Sequence, residues 1–428
     1  MRKPPARKVF KASPTKEFFT HMFVRDIHLN RAILDLVDNC VDGALRLRRT
    51  RTFDGLWVAL EARPDRFRIS DNCGGIPMGL AREYAFRFGR ARDADVLKHS
   101  VGRFGVGLKR ALFKLGGKFV VESWAKDGSF AIDVDVEEWE EDELWEFEFS
   151  DARAADRPTG LHTGTVITAT DLHPSVSSDL SSDRFLSDLR RELELAHEIA
   201  IAKRLAVSLN GKRLSHTPPD ILQSKTIVPG VSLLKEDGVA VKLIAGIGPT
   251  DPSNAGWRVY CNSRMVLRAD QSSDTGWGDG IPRYHNQYAR FRGYAFFDSD
   301  DPDRMPWTTT KSGVDTDSPV YRPVRAQMIR MMRPVITFLN ALDREKDHDN
   351  DYLERAVESA QTTELVNVTH ESKFAAPSPP PRPPSSTTHI SYSRPRKQVE
   401  TAKKQLGVRT NGAVGEKTFD YFLIRECK

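Results

Sequence analysis

Three glycines crowd the start of a predicted helix in the segment SVGRFGVGLKRALFKLGG, residues 100–117. Glycine costs conformational entropy and weakens a helix, so this spacing needs a reason. Such glycines let successive backbone N–H groups turn toward one anion, and a helix beginning near Leu108 adds the positive end of its dipole. The pattern matches neither the P-loop nor the Rossmann fingerprint. It predicts a phosphate-binding loop, with a flexible lid that binds no ligand as the alternative; its members are Gly102, Gly105, Gly107 and, in the first helical turn, Lys109.

Length and composition limit the class of protein. The chain has 428 residues, of which 39% are hydrophobic and 29% charged, so we expect a folded protein of at least two domains. No apolar run is long enough to cross a bilayer, and we expect no membrane partner. The four cysteines have neither zinc nor disulfide spacing, which favours a reducing, cytoplasmic setting.

The order of predicted helices and strands indicates an α+β fold in several parts. Strand patterns such as RFRISD and GTVITAT alternate with amphipathic helices, and DRFLSDLRRELELAHEIAI is predicted as one long helix. The stretch APSPPPRPPSSTT is typical of an unfolded linker. The predicted parts are a basic N-terminal arm (1–15), a first α/β domain (16–180), a second α/β domain (181–345), a Pro/Ser-rich linker (346–395) and a small helical tail (396–428).

Charge is unevenly distributed along the chain. The arm has five basic residues and no acid, whereas residues 133–151 have eleven acids and no base. The arm could contact nucleic acid, an acidic partner or the chain's own acidic strip, and a solvated disordered tail is the simpler alternative.

One predicted helix, NRAILDLVDNCVDGALRL, has a polar face without a cation. Asp35, Asn39 and Asp42 are spaced at i, i+4 and i+7, with Asp38 at the edge of their face and apolar residues opposite. An ordinary solvated face would include basic residues at i+4. Carboxylate and amide oxygens instead suit Mg²⁺ and a base for water.

Two further segments have residues suited to a flat ring. In RISDNCGGIP a strand ends at Asp71, whose carboxylate can accept a hydrogen bond from an exocyclic amine, and Gly74-Gly75 lets the backbone approach closely. In TGTVITAT, Gly164-Thr165 opens another strand. Singly, each segment is equally typical of an ordinary turn or strand.

The order of these four motifs resembles the GHKL ATPase superfamily, which includes gyrase B-type subunits, ninety-kilodalton heat-shock chaperones, histidine kinases, MutL proteins and microrchidia (MORC) ATPases. The resemblance covers about residues 20–175. It implies a Bergerat-type ATP-binding α/β sandwich, with ATP and Mg²⁺ as cofactors. It also implies that Asn39 holds Mg²⁺, that Asp71 binds the adenine amine with support from Thr165, and that Gly75 lies against the base. The nucleotide contacts that it implies are Asn39, Asp42, Asp71, Gly75, Ile76, Gly102, Arg103, Phe104, Gly105, Val106, Gly107, Lys109 and Thr165.

Two positions depart from the family pattern. Cys73 stands where the first glycine of the family's Asp-x-Gly-x-Gly turn is usual, which a small residue tolerates if the backbone angle is ordinary. Asp35 stands where hydrolysing members place a glutamate base. Aspartate is shorter by one methylene, about 1 Å of reach, and a base misplaced by that distance can cost on the order of 10²-fold in rate. ATP binding is therefore better supported than turnover.

The second domain is similar to the transducer-type domain of gyrase B, MutL and MORC proteins, most closely of MORC type. The resemblance implies that Lys311, in MPWTTTKSGVDTD, reaches the γ-phosphate as a second catalytic residue beside Asp35. It implies an ATP-gated homodimeric clamp, acting on DNA or on another protein, with the C-terminal tail as one docking module. A non-hydrolysing nucleotide switch and a chaperone-like protein-binding module remain the alternatives.

Overall fold

The computed structural model describes most of the chain in two units, Met1–Ser378 and Pro379–Lys428. The predicted basic arm up to residue 14 and the lid residues Gly102, Arg103, Phe104, Gly105 and Val106 lie outside the described residues. The described ranges are 15–25, 27–48, 52–86, 107–154, 163–216, 218–308, 310–345, 351–378 and 390–427.

An eight-stranded sheet forms the centre of the first part of the larger unit. Its strand order is β5-β4-β3-β6-β2-β1-β7-β8, antiparallel except for the parallel pair β1–β7. The alternating pattern of the sequence sets the pleat, so that Val58, Leu60, Phe67 and Ile69 all point into the core. The strands are β1 Trp57–Arg63, β2 Arg66–Asp71, β3 Gly116–Ala125, β4 Gly128–Asp135, β5 Asp151–Ala154, β6 Gly164–Leu172, β7 Ala206–Leu209 and β8 Lys212–Arg213.

Helices pack against this sheet and close one hydrophobic core with it. The central helix α2 has almost its whole length buried, and α4 packs beside it. The helices are α1 Lys16–Arg25, α2 Leu29–Leu47, α3 Met78–Leu80 continued by a π-helical turn Ala81–Ala85, α4 Gly107–Leu115, α5 Val136–Glu141, α6 Pro174–Leu180, α7 Asp183–Ala196 and α8 Glu198–Ala202.

A second sheet of five strands, in the order β10-β11-β14-β12-β13, has its own core. One face is covered by the long helix α9, Tyr321–Glu345, which continues through Pro334. The strands of this part are β9 Asp220–Gln223, β10 Gly230–Glu236, β11 Val239–Ile247, β12 Gly256–Cys261, β13 Arg264–Asp270 and β14 Phe291–Asp298. The large sheet and the mixed arrangement of helices and strands confirm the α+β fold class.

Two expectations, one about a domain boundary and one about a helix, differ from the structure. Strands β7 and β8 pair into the first sheet and α7 packs in the first core, so a boundary at residue 180 does not separate the two cores. The long helix predicted over residues 183–201 is interrupted at His197, whose ring contacts α2. Tertiary contacts decide both features, and local sequence patterns do not contain them.

The predicted linker also differs, because its residues 351–378 are folded onto the second part. Helix α10, Tyr352–Glu358, buries Leu353 and Val357, and strand β15, Gln361–Glu364, pairs with β9. The Pro/Ser composition of residues 377–387 concealed this short amphipathic segment. Residues 379–389 lie outside the described ranges.

The smaller unit contains two helices, α11 Arg396–Leu406 and α12 Asn411–Glu426, with a left-handed Gly407 between them. This agrees with the predicted pair of small helices around a glycine-containing turn. Across all the described ranges, we find no helix with the length and apolar character that a bilayer crossing requires.

Candidate functional site

The polar face of α2 is buried except at one residue. Asp35, Asp38 and Asp42 are 5%, 1% and 8% exposed, whereas Asn39 between them is open to solvent. Burying three carboxylates costs free energy unless cations or hydrogen bonds compensate. For Asp35 and Asp38 the compensation comes from cations of other elements of the fold, whereas Asp42 has Arg46 beside it in α2 itself. Asn39 is the accessible amide of this face.

Asp35 has a cation at each carboxylate oxygen. Arg110 of α4 donates from Nη2 to Oδ2 at 2.8 Å, and Lys311 of the second part donates from Nζ to Oδ1 at 3.3 Å. Gly107 lies against the same carboxylate, and a Cβ there would lie 3.3 Å from Cγ of Asp35. The structure thus brings Asp35 and Lys311 together, although 276 residues separate them in the chain.

Asp38 is the hub of a buried ion cluster. Lys311 Nζ lies 2.8 Å from Oδ2, while Arg264 Nε and His197 Nε2 lie 2.8 and 2.9 Å from Oδ1. Burial by itself raises the pKa of Asp38, but Arg264, then Lys311 and His197, reverse that effect and hold the pKa well below its usual range. Burial lowers the pKa of His197, against the opposing effect of Asp38.

Lys311 is presented by a tight loop between the bridged residues Trp307 and Val314. Its φ of +51° is a left-handed angle that is uncommon outside glycine and costs roughly 1–3 kcal/mol. Burial lowers the pKa of the ammonium, but Asp38 and Asp35 more than offset this and raise it. The two ion pairs therefore hold a strained, buried lysine against the carboxylates of α2.

A second polar group of residues lies where three adjacent strands end. Asp71 of β2 pairs with Thr165 of β6, which pairs with Ser123 of β3. The Thr165 and Ser123 hydroxyls are 3.3 Å apart, and Ser123 Oγ accepts from the backbone N–H of Ile76 at 2.7 Å. All three side chains point to the helix side of the sheet, as do the core residues Phe67 and Ile69 of the same strand.

The pKa of the Asp71 carboxyl lies close to neutral pH. Burial raises its pKa to about 6, in opposition to hydrogen bonds from the Cys73 and Thr165 backbones and from the Cys40 thiol. The Cys73 N–H donates to Oδ1 at 2.6 Å. Oδ2 accepts from the weak donor Cys40 at 3.5 Å, and a carboxylate so placed has further lone pairs that can accept from an amine of a ligand.

Two glycines of the turn after β2 are required by geometry. Gly75 has a φ of +68°, and a Cβ there would lie 2.2 Å from the Trp124 carbonyl oxygen. Gly74 has a φ of +98°. Cys73 has no such angle, so the departure from the family's first glycine is accommodated without strain. Two further glycines close the same region, Gly164 of the TGTVITAT segment and Gly43, which was not singled out from the sequence. A Cβ on Gly43 would lie 2.5 Å from the Cys73 carbonyl oxygen, and one on Gly164 would lie 1.9 Å from that of Asp71.

The remaining predicted contacts lie at the edges of this region. Lys109 is buried and donates to the Ala85 carbonyl at 3.0 Å, and burial lowers its pKa to about 8. Next to Asp42, the Arg46 guanidinium donates to the Gly75 carbonyl at 3.2 Å. These contacts connect α2 and α4 to the two loops that flank them.

Four charged or polar residues of this region were not predicted from the sequence as parts of the site. Asp38 was placed only at the edge of the α2 face, and His197, Arg264 and Arg110 were not singled out. Their ion-pair partners are far away in the sequence: Arg110 follows Asp35 by 75 residues, and Arg264 follows Asp38 by 226. The one available signal was the run of α2 from Asp35 to Asp42, which contains three carboxylates and no cation and therefore required partners from elsewhere.

The residues present fit Mg-ATP at this site. Gly75 lets the turn after β2 lie directly against the Trp124 backbone, Asp71 offers an acceptor beside that turn, and Asn39 offers an exposed amide oxygen. In the part of the chain that the structure describes, no three His, Cys, Asp or Glu side chains form a metal-binding group.

Comparison with known proteins agrees with this geometry. A family model described as histidine kinase-, DNA gyrase B-, and HSP90-like ATPase matches residues 27–165. A search of curated proteins finds no significant match. The matched segment begins just before α2 and ends at Thr165, so it contains the α2 carboxylates, Asp71 and the glycine turn. The match supports placing this segment in the GHKL superfamily, whose members bind ATP and generally hydrolyse it.

Proposed function

We propose that the protein is a Mg²⁺-dependent ATPase that works as an ATP-gated clamp. The observation that supports it best is the position of Lys311, which extends from the second part into the carboxylate face of the ATP-binding part. Asn39 would hold Mg²⁺, Asp71 and Thr165 the adenine, and Lys311 the terminal phosphate. Mg-ATP supplies the phosphoryl group, and Asp35 would take the proton of the attacking water at Oδ1.

The proposal gives Lys311 two alternative partners. With no phosphate nearby, its ammonium neutralises Asp35 and Asp38. Contact with a phosphate would draw the ammonium from Asp35 and leave Oδ1 free, while Arg110 continues to orient Oδ2. Asp38 would keep Arg264 and His197. Movement of one lysine would thereby expose the base and reposition the second part at the same time.

The clamp itself is proposed as a dimer of this chain, resembling MORC ATPases with a transducer-like second domain. The support is the resemblance of the WRVYCNSRMVL segment and of the lead-in to the glycine lid. The N-terminal arm would cross to the partner subunit or contact nucleic acid, and the C-terminal helices would dock another protein. A cytoplasmic location is proposed with it.

One observation favours a second candidate, a non-hydrolysing nucleotide switch. Both oxygens of Asp35 are bound by cations, and its side chain is one methylene shorter than glutamate. If Arg110 holds the shorter carboxylate away from the water, nucleotide binding would release Lys311 without turnover. A chaperone-like protein-binding module has no such observation behind it.

The test of the clamp uses Lys311→Met and, as a matched control, Lys212→Met, which removes an exposed lysine. ATP affinity, ATP turnover and sedimentation with and without a non-hydrolysable ATP analogue are measured on each. We expect analogue-dependent dimers and turnover in the wild type and the control, and loss of both in Lys311→Met with ATP still bound. A wild type that stays monomeric with saturating analogue would refute the clamp.

A further inference from the structure

Helix α9 has arginines on its outer side and no acid for most of its length. Residues 321–340 contain four arginines, no lysine, no aspartate and no glutamate. At about 100° per residue the four fall within roughly 140° around the axis. The apolar residues Val324, Met328, Met332, Val335 and Leu339 form the opposite, buried side. The four arginines are Arg322, Arg325, Arg330 and Arg333.

Two of the four arginines are paired with acidic residues of the protein, and two are not. Arg322 pairs with Asp317 at 2.6 Å, and Arg325 pairs with Asp279 at 2.8 Å. Among the described residues, the Arg330 side chain has one polar contact, to the neutral Gln327 at 2.7 Å, and the Arg333 side chain has no hydrogen-bond or ion-pair partner.

A third uncompensated arginine lies beside these two. A Cβ on Gly280 would lie 3.3 Å from Nη2 of Arg333, and one on Gly278 would lie 3.1 Å from Cγ of Arg283. Both arginines therefore lie against the same short turn. Arg283 is exposed and, in the described part of the chain, has no ion pair or hydrogen bond. We call Arg283, Arg330 and Arg333 the arginine patch.

The surroundings of the patch select among polyanionic partners. Exposed large hydrophobic side chains occur elsewhere on the described surface, but none occurs between residues 270 and 345. Without an exposed aromatic ring there is no platform on which unpaired bases could stack. In the described residues of this range, no exposed large hydrophobic side chain is available to anchor a protein partner. Guanidinium groups alone suit the phosphates of a duplex backbone, which they bind in bidentate fashion.

We propose that the arginine patch, which lies on α9 and the adjoining turn, binds the phosphate backbone of duplex nucleic acid without sequence preference. The proposal deepens the clamp function and rests on it, because it assigns the surface through which the clamp would contact a duplex. Phosphate contacts of this kind release counterions, so binding weakens with salt in proportion to their number. The patch is on the second part, on a helix distinct from the Lys311 loop.

The test measures the affinity of the full chain for a short duplex DNA over a range of salt concentrations. The patch variant is Arg283→Gln/Arg330→Gln/Arg333→Gln. The control variant, Arg153→Gln/Arg184→Gln/Arg204→Gln, removes the same charge at side chains that are 77%, 93% and 70% exposed. Single-stranded DNA and an acidic polypeptide are measured alongside, and ATP affinity on every sample.

We expect the patch variant to bind duplex on the order of tenfold more weakly than the control. Its log K against log salt slope should be lower by roughly 2.7, about 0.9 for each of three lost contacts. Equal affinity of the two variants, tighter binding of the acidic polypeptide than of duplex, or no duplex binding by the wild type would overturn the proposal. Unchanged ATP affinity in the patch variant separates this outcome from failure of the ATP site.

Discussion

At the scale of single residues, the site depends on where a carboxylate is neutralised and where it is left available. Asp38 is enclosed by His197, Lys311 and Arg264. Asp71 is only weakly compensated, and burial raises its pKa to about 6. The pKa values of these two aspartates move in opposite directions because their surroundings differ.

The first prediction concerns Gly75. Alanine there would place a methyl group 2.2 Å from the Trp124 carbonyl oxygen, at a φ of +68° that alanine disfavours. We expect Gly75→Ala to lose most of its ATP affinity in isothermal titration calorimetry. Gly79→Ala, four residues on, meets no atom within 4 Å and should bind as the wild type does. Equal affinity of the two variants would contradict a role of the Gly75 turn in ATP binding.

The second prediction is a pH dependence of adenine binding. Ionised Asp71 accepts from the adenine amine more strongly than the protonated acid does, and its folded-state pKa of about 6 lies above the ordinary value of 3.8. ATP affinity should fall as pH decreases through 6, by up to tenfold per unit of pH, that is about 1.4 kcal/mol. Inorganic triphosphate, which has no base, serves as the control for phosphate titration. A parallel loss for both ligands would argue against Asp71 as the adenine acceptor.

At the scale of the elements, α2 joins the two parts of the larger unit. Its apolar residues fill the first core, and its carboxylates bind α4 through Arg110 and the second part through Lys311 and Arg264. The helix could be predicted with its polar face, because periodicity of 3.6 residues is local. Its partners Arg110 and Arg264 could not be predicted, since an ion pair between distant residues leaves no periodic signal.

The third prediction concerns the stability of this hub. Asp38→Asn removes one charge from a buried cluster and leaves Arg264 and Lys311 without their shared partner, which typically costs about 3–5 kcal/mol. We expect a clear decrease in the urea midpoint. Asp188→Asn, which breaks an exposed pair with Arg184, should change stability by less than about 1 kcal/mol. Similar midpoints in the two variants would show that the cluster does not hold the elements together.

At the scale of the whole molecule, consecutive residues of the α7–α8 junction connect to both parts of the larger unit. His197 contacts Asp38 of α2, and the Tyr260 hydroxyl of β12 donates to the buried Glu198. Lys311 and Arg264 cross the same boundary in the opposite direction. The two parts of the larger unit are therefore joined by buried ion pairs and hydrogen bonds as well as by the chain itself.

The fourth prediction concerns the residues that sequence composition assigned to a linker. A chain ending at residue 345 would lose Leu353 and Val357, each worth about 1.5–3 kcal/mol of burial, and the pairing of β15 with β9. It should melt at a lower temperature than the full chain. A chain ending at residue 378 keeps these contacts and should melt within a few degrees of it. Coincident melting of both truncations would contradict the packing described for residues 351–378.

The features that could be predicted from the sequence are local, whereas those that could not depend on segments far apart in the chain. The motif order, the helix α2, strands β1 to β4 and β6, and the proximity expected of Asp35 and Lys311 came from local patterns and from a family resemblance. The extent of the first sheet, the break at His197 and the folding of residues 351–378 depend on contacts between distant segments. Sequence patterns alone do not specify such contacts.

The most direct measurement of the central claim is steady-state ATP hydrolysis by wild type, Asp35→Ala and Asp35→Glu, with ATP binding measured on the same samples. If Asp35 is the base, the wild type turns over and Asp35→Ala loses on the order of 10²-fold or more in rate with its ATP affinity retained. If the wild type binds Mg-ATP without hydrolysis and Asp35→Glu gains activity, the ATPase claim is contradicted and the protein is a nucleotide switch.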